Sequence, residues 1–102
     1  MNKAIREILK SGQFSGFRAN PENHLGGKYV RKLECAFQDY FQIKYAVSFN
    51  SATSALHAAL IACGIGQYDN VICPTLTFSA SASCVKMIGG NIVFADINPL
   101  SF

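Results

Sequence analysis

The chain has 102 residues, half of them apolar, and a formal charge of +3, which bounds it to about one small globular domain. The charge is scattered, with a mild concentration at Lys28, Arg31 and Lys32 that reads as a solvated helix face and excludes a nucleic-acid footprint. No apolar run reaches the roughly 18 residues needed to cross a bilayer, and the opening Met1-Asn2-Lys3-Ala4-Ile5-Arg6-Glu7 has no signal-peptide core, so a cytoplasmic protein with no membrane partner is expected.

Ile5, Ile8 and Leu9 predict a short first helix that Ser11-Gly12 ends. Residues 13–27 are rich in Gly, Asn, Ser and Pro and read as a long loop. A second helix is expected over 28–41, with Val30, Leu33, Phe37 and Tyr40 or Phe41 on one face, and a first strand over 45–49. A helix then runs from Ser51 to Cys63, with Ala52, Ala55, Leu56, Ala59, Leu60 and Cys63 at amphipathic spacing and Gly64 as its stop. After a turn over 64–69 come a second strand over 70–73 closed by Pro74, a small-residue helix over 78–88 ended by Gly89-Gly90, and a third strand over 92–95 ending at Asp96. Strands alternating with helices at this spacing indicate an α/β protein with a mainly parallel sheet. Ligands in such sheets gather where strands end and helices begin, which directs attention to the turns after Phe49 and Cys73.

The first of these turns, Phe49-Asn50-Ser51-Ala52-Thr53-Ser54, passes from strand to helix through small hydroxyl residues. Ser51 is a natural N-cap. The first N–H groups of a helix lack internal partners, and the macrodipole adds roughly half a positive charge, so an anion is stabilised beside Ala52 and Thr53. On this motif alone, a cap that carries no ligand is the commoner outcome.

Cys35, Cys63, Cys73 and Cys84 are too widely spaced for a Cys-x-x-Cys pair and lie in apolar segments, which predicts buried, reduced thiols. His24 and His57 have no ligand spacing to each other or to the cysteines, so no metal is assigned. No Gly-x-Gly-x-x-Gly follows a strand, which disfavours a nicotinamide-binding domain.

Four blocks in order carry a resemblance to a known family: Gly26-Gly27 through Leu33-Glu34; Lys44-Tyr45-Ala46-Val47 leading into Asn50-Ser51-Ala52-Thr53-Ser54-Ala55-Leu56; Gly64-Ile65-Gly66 with Asp69-Asn70-Val71-Ile72-Cys73-Pro74-Thr75-Leu76-Thr77-Phe78; and Gly89-Gly90 with Val93-Phe94-Ala95-Asp96-Ile97. From Gly12 onward the chain resembles the amino-terminal part of the DegT/DnrJ/EryC1/StrS aminotransferases, pyridoxal-phosphate enzymes of fold type I that act on nucleotide-linked keto sugars. The resemblance implies an α/β fold, a partial large domain with mainly parallel strands and flanking helices. It implies that Ser51, Ala52 and Thr53 receive the cofactor phosphate and that the Phe78 ring stacks on the pyridine. Many members have Gly where this chain has Ala52, which keeps the turn small. Without the family, Phe78 would be read as an ordinary core phenylalanine.

The same resemblance implies a division into 1–27, a first helix with a substrate-entrance or interface loop, and 28–102, a partial cofactor-binding domain. Asp69 and Asp96 match structural turn and strand-end positions, and His57 lies off the expected apolar face as a solvent or interface residue. The implied substrates are a nucleotide sugar and an amino-acid donor, glutamate by family precedent, in a homodimer or larger oligomer that serves cell-surface polysaccharide synthesis.

A transaminase also needs a lysine that bonds the cofactor and a carboxylate on the pyridinium nitrogen. Lys3, Lys10, Lys28, Lys32, Lys44 and Lys86 all fall outside matching positions, so no catalytic residue is assigned and the chain alone is expected to be inactive. The alternatives are a cofactor-dependent sugar dehydratase of the same family and a non-catalytic remnant or interaction fragment. In the fold that the resemblance implies, the strand over 45–49 lies across the sheet from the second and third, so it would lack its sheet neighbours here, which predicts poor folding alone, rearrangement or association with other chains.

Overall fold

The computed structural model describes residues 2–14, 16 and 25–101, in the order α1 (Lys3–Ser11), α2 (Lys28–Phe41), α3 (Ala52–Ala62), β1 (Asn70–Pro74), α4 (Ala80–Met87) and β2 (Asn91–Ala95). The long loop expected over 13–27, with His24, lies for the most part outside the described residues. The chain divides into two units, Met1–Ser48 and Phe49–Phe102. No helix among the described residues is long and apolar enough to cross a membrane.

In the first unit, Asn2 caps α1 by accepting from the Ala4 N–H at 3.1 Å, and Gly12 ends it in the left-handed conformation at φ 66°. The Tyr29 hydroxyl of α2 donates to the Glu7 carboxylate of α1 at 2.6 Å and ties the two helices. This bond favours the neutral phenol and holds the Tyr29 pKa above its ordinary value, with burial and the Glu7 charge adding to the effect. The α2 bounds agree with those expected, and the Phe37 and Phe41 rings stack one turn apart with centroids at 5.5 Å.

The strand expected over 45–49 does not form. A strand exists through its ladder, and among the described residues this segment has no ladder partner. Its period-two alternation survives, however: Ala46 and Ser48 are half-buried, while Tyr45, Val47 and Phe49 are exposed. The Glu34 carboxylate accepts from the Ser48 N–H at 2.8 Å and from its hydroxyl at 2.9 Å, standing in for a ladder partner. These two bonds, the backbone one first, hold the Glu34 pKa below its ordinary value.

In the second unit, β1 and β2 pair in parallel, with Val71 opposite Ile92 and Cys73 opposite Phe94. Parallel neighbours require a crossover, and α4 provides it. The buried apolar residues are Cys73, Ala80, Cys84 and Val85, so this core sits between β1 and α4. Both strands are apolar on both faces, the pattern of a sheet covered on two sides. On the face opposite Cys73, Ile72 and Val93 remain 73% and 45% exposed.

The turns follow from their residues. Gly64 and Gly89 adopt φ 76° and 83°, which an L side chain resists, and so end α3 and α4 as expected. Asp69 closes the turn before β1: its carboxylate accepts from the Gly66 N–H at 2.8 Å, and its carbonyl receives the Asn91 N–H at 2.9 Å.

Two further expectations are corrected. On α3 the partly covered positions are Thr53, Ser54, Ala55, His57, Ala58 and Leu60, whereas Ala52, Leu56 and Ala59 are exposed. Because nearly every α3 side chain is small or apolar, periodicity gave little contrast between faces, and His57 lies on the covered side. Of the four cysteines, Cys73 and Cys84 are buried, but Cys35 and Cys63 are exposed. Cys35 falls off the apolar face of α2, and Cys63 is the C-cap of α3.

Candidate functional site

Ser51 stands in extended backbone, φ −155° and ψ 155°, and its hydroxyl accepts from the Ser54 N–H at 3.1 Å. That hydroxyl also lies 2.9 Å from the Ser54 hydroxyl, so Ser51 spends its side chain on capping. The Ser51 carbonyl accepts from the Ala55 N–H at 3.1 Å, the first bond of the helical ladder. The N–H groups of Ala52 and Thr53 make no hydrogen bond among the described residues. No acidic side chain lies in the first turn of α3 to compete for them. Two free donors at the positive end of a helix, flanked by small side chains, match the needs of a phosphate.

The second candidate, Phe78, lies in the loop between β1 and α4 and is 77% exposed. It is therefore not a core residue of this unit, and its ring face is open to stacking. The loop follows the carboxyl end of β1, and α4 runs back from it. The Cys84 thiol, in the second turn of α4, donates to the Thr53 carbonyl in the first turn of α3 at 3.3 Å. This contact sets the first turn of α3 against the middle of α4, the helix that leaves the loop after the carboxyl end of β1, where α/β proteins bind ligands.

Ser54 was not singled out from the sequence, although its place three residues after a serine cap is a recognisable capping position. Thr75, Thr77 and Ser81 were also missed. The Thr75 hydroxyl donates to the Asp96 carboxylate at 3.2 Å, and the Thr77 and Ser81 hydroxyls lie 3.1 Å apart. In the other unit, Phe14 and Gly16 of the loop expected over 13–27 border a cavity of about 290 Å³ with Glu7, Ser11, Tyr29 and Val30.

Comparison with known proteins decides the kinship. The family model of the DegT/DnrJ/EryC1/StrS aminotransferase family matches residues 1–102. The chain belongs to this family. It is 45% identical over 76 residues to the GDP-perosamine synthase of Caulobacter vibrioides, across 74% of this chain and 20% of that protein. Among solved structures, the aminotransferase from Psychrobacter cryohalolentis superposes with a TM-score of 0.76 at 36% identity, across 93% of this chain and 22% of its own. The PMP form of the sugar aminotransferase Spr1654 from Streptococcus pneumoniae does so at 0.77 and 31%, across 92% and 21%. The chain thus spans about a fifth of the length of the curated relatives it matches. The fold is that of the amino-terminal part of a fold-type-I aminotransferase, the α/β class expected from the blocks above.

Proposed function

We propose that the start of α3 and the loop after β1 form the phosphate and ring seat for pyridoxal 5'-phosphate in a sugar aminotransferase. The observation that carries this reading is the pair of N–H groups at Ala52 and Thr53 that have no partner among the described residues, behind a cap that Ser51 makes with Ser54. The donor set fits a phosphate: main-chain N–H groups, the Thr53 hydroxyl and no local negative charge. Phe78 offers an open aromatic face for the pyridine ring. A PMP form among the similar structures supports the same cofactor.

When bound, the cofactor supplies an electron sink for bonds at the amino-bearing carbon of a substrate. The residues of this chain anchor and orient it: the helix terminus fixes the phosphate, and Phe78 limits the tilt of the ring. In this reading the whole protein is cytoplasmic, forms a homodimer or larger oligomer, and moves an amino group, from glutamate by family precedent, to a nucleotide-linked keto sugar for cell-surface polysaccharide. The similarity to GDP-perosamine synthase supports that substrate class.

Titration with pyridoxal phosphate, followed by equilibrium dialysis with inorganic phosphate as competitor, tests the reading. Saturable binding that phosphate displaces is expected. Binding that is insensitive to phosphate, or unchanged in Ala52→Asp, which sets a negative charge beside the donors, would contradict it.

A further inference from the structure

Packing does not fix the Phe78 ring, which is 77% exposed, yet the short loop that carries it is bonded at both ends. At the strand end, Thr75 donates its N–H to the Ala95 carbonyl at 3.0 Å and its hydroxyl to Asp96 Oδ1 at 3.2 Å. The same Asp96 oxygen accepts from the Ile97 N–H at 2.9 Å, so the carboxylate is itself held. At the helix end, the Thr77 and Ser81 hydroxyls meet at 3.1 Å, and the Phe78 carbonyl accepts from the Ser81 N–H at 3.0 Å.

We propose that Thr75 and Thr77, acting through Asp96 and Ser81, are positioning residues that hold the Phe78 ring in place for the cofactor pyridine; this rests on the cofactor reading above. An exposed ring on a free loop loses conformational freedom when it stacks, and a loop already pinned on both sides of Leu76 has less to lose. The pins do not touch the phosphate donors at Ala52 and Thr53. Their effect is therefore confined to the ring half of the ligand.

The test compares two probes, pyridoxal phosphate and inorganic phosphate, on the chain and on Thr75→Val with Thr77→Val. The paired valines are expected to weaken pyridoxal phosphate about fivefold, the scale of one aromatic stacking contact. Inorganic phosphate affinity stays unchanged. In a Phe78→Ala background the valines add nothing, and Thr→Ser at both positions restores binding, since the hydroxyls return. A merely structural role would not show that coupling to Phe78. Equal losses with and without Phe78, an accompanying loss of phosphate affinity, or no loss at all would overturn the proposal. If the unaltered chain holds pyridoxal phosphate no more tightly than inorganic phosphate, the ring seat itself fails and the positioning role fails with it.

Discussion

The Cys84 thiol lies 3.3 Å from the Thr53 carbonyl and donates to it, joining the first turn of α3 to the second turn of α4. Cys84 is wholly buried, whereas Thr53 is half-buried, so the bond is partly shielded from water. Cys84→Ala is expected to cost about 1 kcal/mol from the lost bond and packing. Urea denaturation measures this, and an unchanged midpoint would show that the contact contributes nothing.

Ala52→Asp separates stability from binding. A negative charge in the first turn of α3 favours the helix by about 0.5 kcal/mol but repels an incoming phosphate. The variant is expected to melt no lower than the parent while losing at least about tenfold in phosphate affinity, or about 1.4 kcal/mol. Calorimetry and phosphate titration on one sample check both.

Glu34 predicts an acid-dependent loosening of the first unit. Its folded pKa is depressed below the ordinary value of 4.5 by the bonds from Ser48. A depressed carboxylate contributes stability that is present above the unfolded pKa and lost as pH falls through the folded one. Exchange protection of the Ser48 N–H should therefore fall below about pH 4, in the range of the unperturbed carboxylate and under it. Glu34→Gln should remove most of that dependence.

Tyr29 gives the opposite sign. Its pKa is raised from 10.0 because its hydroxyl donates to Glu7. The contribution is present below pH 10.0 and is lost as pH rises through the higher folded value. An ultraviolet titration should show this tyrosine ionising above its ordinary value of 10.0. Glu7→Gln should bring it back toward that value.

Val85, 1% exposed, is among the few fully buried side chains. Val85→Ala is expected to cost about 2 kcal/mol, since the core between β1 and α4 has few other residues to absorb the cavity. Chemical denaturation should show the loss in the unit formed by Phe49–Phe102.

What the sequence disclosed depended on how local the cause was. Gly64, Gly89 and Ser51 mark helix ends through their own backbone and side-chain chemistry, and all three act as expected. The alternation over 45–49 was real, but a strand needs a partner that no nearby residue supplies, and Glu34 takes the Ser48 N–H instead. The α3 face was misread because Ala, Ser and Thr on all sides leave little contrast. The free N–H groups at Ala52 and Thr53, which we propose receive a phosphate, could be read from a cap and small side chains. The Thr75 and Asp96 pair could not, since residues 21 apart meet only once β1 and β2 have aligned.

The most direct measurement of the central claim is a titration of the isotope-labelled chain with inorganic phosphate, following each backbone amide by nuclear magnetic resonance. The largest shifts are expected at the Ala52 and Thr53 N–H groups, saturating together, with Ser54 moving less because its N–H already serves Ser51. Shifts confined to the lysine-bearing face of α2, or none at Ala52 and Thr53, would contradict the assignment of α3 as the phosphate seat.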